Sequence, residues 1–67
     1  MKLHELPNNS PFRIEVKDGT VNATFHHIDG MYSYCTTEDG QPFHLSAMAP
    51  VKLVDGRYEI DFNPQEQ

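Results

Sequence analysis

Phe12-Arg13-Ile14-Glu15-Val16-Lys17-Asp18-Gly19-Thr20-Val21-Asn22-Ala23-Thr24-Phe25 alternates apolar and polar residues on both sides of an Asp-Gly pair. That combination is a strong short-range signal for a β-hairpin, because a type I′ turn needs positive φ at both central residues and glycine adopts it without strain. Taken as a two-residue turn, Asp18-Gly19 sets Val16 against Val21, Ile14 against Ala23 and Phe12 against Phe25. All six are apolar, so one face of this ribbon is a core face.

Outward from this hairpin the phase continues. Asp29-Gly30 as a turn sets Phe25 against Tyr34, Ala23 against Thr36 and His27 against Tyr32. Asp39-Gly40 sets Tyr34 against Leu45 and Thr36 against Phe43, and Asp55-Gly56 sets Leu53 against Tyr58 and Val51 against Ile60, with Phe62 continuing that row. The expected fold is all-β: five to six short antiparallel strands, a meander joined by Asp-Gly turns and rolled into a small barrel. Its core would hold Phe12, Ile14, Val16, Val21, Ala23, Phe25, Tyr34, Phe43, Leu45, Val51, Leu53, Tyr58 and Ile60. Ser46-Ala47-Met48-Ala49-Pro50 is too short for an α-helix and suits one 3₁₀ turn. Leu3-His4-Glu5-Leu6-Pro7 reads as a helical turn or an extended arm over one end of the core, Asn8 to Pro11 as a turn, and residues 63–67 as a flexible polar tail.

Sixty-seven residues make a single domain, 1–67, with a small core and no room for a two-lobed enzyme around a cofactor. Ten acidic residues against five basic ones give a net charge of −5 and a pI near 5.1, which disfavours a binder of phosphate backbones. One cysteine excludes an internal disulfide, and no apolar run near Met1 has the length of a signal peptide or membrane span. These features lead to the expectation of a soluble cytoplasmic protein.

The same register assigns the opposite face. Arg13, Thr24, Cys35 and His44 fall in one row, with His26, Ser33 and Ser46 in the next. Directly opposed residues have Cβ atoms roughly 4.5 to 5.5 Å apart, which would bring Cys35 to His44. Two chemistries follow from that pair. One is a thiolate nucleophile activated by imidazole, but a convex sheet supplies no oxyanion hole, so no catalytic residue is assigned. The other is zinc on Cys35, His44 and His26, but His26 would lie about 10 Å from His44 at sheet spacing, so neither metal nor cofactor is expected. A protein-binding patch fits better: Ile28, Met31 and Tyr32 cluster at the second turn beside His26, and Arg13 and His44 extend the surface.

The segment His44-Leu45-Ser46-Ala47-Met48-Ala49-Pro50-Val51-Lys52-Leu53-Val54 resembles the C-terminal part of SH3-like barrels. Tryptophan, with which SH3 domains grip polyproline, is absent. A second resemblance runs through the Leu-Pro start, Phe12, Phe25, Asp29-Gly30-Met31-Tyr32-Ser33-Tyr34-Cys35 and His44-Leu45-Ser46-Ala47. It is similar to small, mostly uncharacterised barrel proteins of tailed bacteriophages. This implies a modulator or inhibitor that binds a host bacterial protein, and no catalytic residues.

Alternatives from other classes are a nucleic-acid-binding barrel of the KOW or cold-shock kind and an acidic DNA mimic. The first requires Tyr32, Tyr34 and Phe25 exposed beside Arg13, Lys17 and Lys52, whereas the expected register buries Tyr34 and Phe25. Mimicry draws on few carboxylates, since four of the ten are turn aspartates. An open sheet edge would also allow a homodimer.

Overall fold

A computed structural model describes residues 1–60. Phe62 and the tail 63–67 lie outside the described residues. The chain opens with a 3₁₀ turn, Leu3–Glu5, followed by strands β1 (Ser10–Val16), β2 (Gly19–Asp29), β3 (Tyr32–Thr37), β4 (Pro42–Phe43), β5 (Val51–Val54) and β6 (Arg57–Ile60). Among the described residues these form one six-stranded sheet in the order β4-β3-β2-β1-β6-β5. The architecture is all-β, as expected, with two corrections. The sheet is not closed into a barrel, since β4 and β5 do not pair, and it is not wholly antiparallel. β6 lies parallel to β1, with Phe12 opposite Tyr58 and Ile14 opposite Ile60, because β5 and its hairpin reverse the chain before β6 reaches β1.

The last hairpin has the expected register, Val51 to Ile60 and Leu53 to Tyr58. Asp55 and Gly56 both sit at positive φ, 52° and 79°, as a two-residue type I′ turn demands. The first hairpin turns instead at Lys17-Asp18, which sets Ile14 against Val21, Phe12 against Ala23 and Ser10 against Phe25. That is a slip of two residues, so every side chain keeps its expected face.

The second and third hairpins depart by odd steps. Near the turn β2 pairs His27 with Tyr34 and Ile28 with Ser33, but a bulge at His26 resets the pairing to Phe25 with Cys35 and Thr24 with Thr36. One extra residue inverts the faces of β3 relative to the inner half of β2. Ser33 and Cys35 are therefore buried, and Tyr34, expected in the core, sits half-buried on the outer face. The β3–β4 connection is a three-residue loop, Glu38 to Gly40, with Gly40 at φ 89° and its N–H on the Thr37 carbonyl. This second odd step pairs Cys35 with Phe43 and returns Phe43 and Leu45 to the core side.

The core holds Leu3, Leu6, Phe12, Ala23, Phe25, Cys35, Val51 and Ile60, with Ile14, Ile28, Phe43, Leu45, Ala49 and Tyr58 packed against it. Besides Tyr34, two residues expected inside lie outside, Val16 at the far end of the first hairpin and Leu53, 65% exposed, on edge strand β5, while Val21 is half-buried and not part of the core. The alternation of Val16 and Leu53 is correct, but the sheet is too narrow there for a second layer to cover them. The N-terminal arm supplies that cover elsewhere. Leu3 N–H bonds Ala49 O, His4 N–H bonds Ala47 O, and Met1 and Val51 exchange backbone bonds, so the arm runs antiparallel to residues 47–51. Lys2 N–H bonds the Glu5 carboxylate, half of a capping box on the 3₁₀ turn, and Leu3 and Leu6 drop into the core one turn apart. Ser46 to Ala49, expected as a 3₁₀ turn, is a single hydrogen-bonded turn, Ala49 N–H to Ser46 O.

Leu3 is wholly buried. Leu3→Ala should therefore destabilise the fold by about 2 to 5 kcal/mol, whereas Leu53→Ala should change it by less than about 0.5 kcal/mol. Urea unfolding midpoints compare them, and similar losses for both would contradict this placement of the core.

Candidate functional site

Beyond the His26 bulge the outward-facing positions of β2 become His27 and Asp29. They join Tyr32, Tyr34 and Thr36 of β3 and His44 after β4 on one continuous surface. The result is a tyrosine ringed by imidazoles. Tyr34 lies 5.5 Å from His27 in a stacked arrangement, 5.4 Å from His26 and 5.9 Å from His44, measured between ring centroids.

Hydrogen bonds orient two of the three histidines. His44 Nδ1 lies 2.7 Å from the Ser33 carbonyl oxygen. A carbonyl only accepts, so Nδ1 carries the proton, the tautomer that leaves Nε2 as the ring's acceptor. His26 Nε2 lies 2.8 Å from the Thr36 hydroxyl, and its Nδ1 lies 3.4 Å from Asn9 Oδ1. The bulged residue is thus tied to both the neighbouring strand and the turn before β1.

At the tip of the β2–β3 hairpin, Met31 is 81% exposed and Tyr32 58% exposed. The tip is braced from behind: Ala47 N–H bonds Met31 O, and Tyr32 bridges Ser46. Exposed Met48 follows one residue after that brace. A surface of Met, Tyr and His on a hydrogen-bonded hairpin costs little ordering entropy when it is covered.

Across the same face toward β5 the character changes from aromatic to charged. Glu59 is buried and faces two cations, with Arg13 Nε at 3.8 Å and Lys52 Nζ at 3.9 Å. Arg13 stands directly opposite Glu59, and Lys52 opposite it on the other side. Asn22, opposite Arg13, donates to Glu38 at 3.5 Å. Buried Arg13 Nε has no hydrogen-bond partner among the described residues, so the pair is an ionic contact without the fork geometry that makes such pairs strong.

Of the residues expected to bind a partner, the structure brings His26, Met31, Tyr32 and His44 to one region. Ile28 instead packs against the core opposite Ser33, and Arg13 lies in the charged row. The expected row of Arg13, Thr24, Cys35 and His44 is not assembled: their register partners are Asn22, Thr36 and Phe43 for the first three. Cys35 is fully buried, which removes it from both the nucleophile and the zinc readings. Among the described residues no group of three His, Cys, Asp or Glu side chains is placed to hold a metal.

His27, Asp29 and Tyr34 were missed as surface residues. The signal was present in the spacing of apolar residues, which runs Ala23, Phe25, Ile28: a step of three in an alternating strand, filled by His26-His27, marks a bulge.

Comparison of the chain with known protein families, curated proteins and solved structures finds no match. Among the described residues no helix is long and apolar enough to cross a membrane.

Burial pushes the Cys35 thiol pKa up, and a hydrogen bond with Ser33 offsets this only in part. The Ser33 hydroxyl lies 3.2 Å from Cys35 Sγ and also bonds the backbone of Leu45. Native Cys35 should react with iodoacetamide about a hundredfold or more slower than the urea-unfolded chain, and equal rates would contradict its burial. Because the folded pKa is raised, the protonated thiol's contribution to stability is complete below the ordinary thiol pKa of about 8.5. It is lost as pH rises through the folded value. Cys35→Ala should therefore show a flatter alkaline decline in stability than the parent chain.

Proposed function

We propose that this chain is a non-enzymatic protein-binding module that meets its partner with the β2–β3 hairpin tip and the aromatic and imidazole surface behind it. The observation that carries the reading is the exposure of Met31 and Tyr32 on a hairpin braced by residues 46–47. Methionine and tyrosine are favoured in interface cores, and a prebraced hairpin presents them without a folding cost. An SH3-like kinship belongs to this proposal. It is supported by the single six-stranded sheet and by the strand, turn and strand of residues 42–54 that carry the resemblance. That the partner is a host bacterial protein rests on the resemblance to phage barrels alone.

One observation favours the nucleic-acid reading as a second: Tyr34 lies on the outer face, not in the core, beside exposed Tyr32. The cations needed to accompany such a stacking platform are elsewhere. Arg13 and Lys52 flank Glu59, Lys17 sits at the opposite end of the sheet, and the net charge is −5.

A photo-crosslinking residue placed at Met31 should yield one discrete protein adduct in bacterial lysate, lost on adding Tyr32→Ala, while the same residue at Thr20 yields none. Equal labelling from both positions, or none from Met31 combined with salt-sensitive binding of single-stranded oligonucleotides, would overturn the reading.

A further inference from the structure

A shallow cleft of about 340 Å³ opens on the outer face between Asp29, Tyr32 and His44. Its three walls offer a carboxylate, a phenol ring and an imidazole. Asp29 stands directly opposite Tyr32 in the β2–β3 ladder, and it has no cationic partner among the described residues. His44 is held by the bond from its Nδ1 to Ser33 O, so its Nε2 lone pair is available to a donor. Tyr32 is exposed enough to offer a ring face as well as its hydroxyl.

Two acceptors and an aromatic face, with no donor beyond the phenol, describe a receptor for a cation that carries several N–H groups. We infer that the cleft receives an arginine side chain from a basic segment of the partner protein. This rests on the protein-binding reading of the same surface and narrows it. A guanidinium can lie flat on the Tyr32 ring, pair two N–H groups with the Asp29 carboxylate and give a third to His44 Nε2. Lysine has one compact head group and cannot satisfy the ring and both acceptors together in that planar manner. The charge of the whole molecule acts in the same direction, since −5 over 67 residues draws basic segments toward it at long range. Exposed Met31, adjacent to Tyr32 at the hairpin tip, adds apolar surface beside the contact.

The test is an amide chemical-shift titration of the ¹⁵N-labelled chain with N-acetyl-arginine amide, with N-acetyl-citrulline amide and N-acetyl-lysine amide as controls. Shifts should cluster at residues 29–32 and 44–46 and saturate on the order of millimolar for the arginine probe, be weaker for lysine and be absent for citrulline. Asp29→Asn should weaken arginine binding about fivefold or more, with a spectrum otherwise like that of the parent chain, and Tyr32→Leu should weaken it without removing the charge. Shifts scattered over all carboxylates, equal response to citrulline, or unchanged binding in Asp29→Asn would overturn the inference. Its failure is separable from that of the broader reading. A Met31 adduct formed in full yield by Asp29→Asn leaves the interface standing without its arginine, whereas loss of the adduct in the parent chain removes the interface itself.

Discussion

One unpaired residue, His26, governs both the interior and the exterior of this fold. Its insertion into β2 shifts the β2–β3 pairing from a sum that would bury Tyr34 to one that buries Cys35. The imidazole then bonds Thr36 on β3 and approaches Asn9 before β1, so the bulge is tied on both sides. Because side chains alternate with a period of two, an odd insertion exchanges every residue of β3 between faces. The three-residue loop after Thr37 introduces a second odd step, and Phe43 and Leu45 return to the core. The interior thus gains a small thiol and a hydroxyl where two bulkier tyrosine-phase side chains would otherwise point, and the surface gains an aromatic centre.

A sheet this small cannot cover its own concave face, and the N-terminal arm completes it. Leu3 and Leu6 enter the core from the 3₁₀ turn while the backbone of residues 1–4 binds that of 47–51. The arm also blunts an edge. In the β5–β6 hairpin Val54 and Arg57 are the closing pair, which turns the backbone groups of Val51 and Leu53 away from β6. Met1 takes those of Val51, leaving a single residue position, Leu53, before the chain turns at Asp55-Gly56. The opposite edge is the two-residue β4, and its Pro42 has no N–H to offer. Both edges are therefore poor templates for strand addition, and the outer face is the better surface for recognition.

That face divides by charge. On the β5 side a buried carboxylate, Glu59, holds Arg13 and Lys52, so the cations nearest the sheet centre are engaged with the fold. On the β3 side Asp29 and His44 Nε2 have no cationic partner among the described residues, beside exposed Tyr32 and Met31. The two halves lie on one sheet but differ in character: one compensates a buried charge, and the other exposes acceptors and apolar surface. The proposed recognition surface is therefore the hairpin tip and not the whole face.

The all-β class and, to within a residue or two, the place of each hairpin were legible from Asp-Gly pairs set in alternating sequence, because turn chemistry and side-chain period are local properties. The core assignments of Phe12, Ala23, Phe25, Phe43, Leu45, Val51 and Ile60 followed from the same alternation: the slip of two in the first hairpin preserves faces, the two odd steps before Phe43 and Leu45 cancel, and the last hairpin keeps its expected register. Met31 and Tyr32 were legible as part of a hairpin tip from Asp29-Gly30, but the same alternation put Tyr32 in the core phase, and its exposure was decided by the fold. The facing of β3, the parallel seat of β6 beside β1, and the burial of Leu3 and Leu6 against exposed Leu53 were decided by tertiary structure. Each depends on a contact between segments distant along the chain. A bulge costs little locally and is selected by what it packs inside, and whether an apolar strand residue is buried depends on a second layer that only the folded arm supplies. The candidate site inherits this division: its residue types could be read from the chain, but their convergence around Tyr34 and Asp29 required the fold.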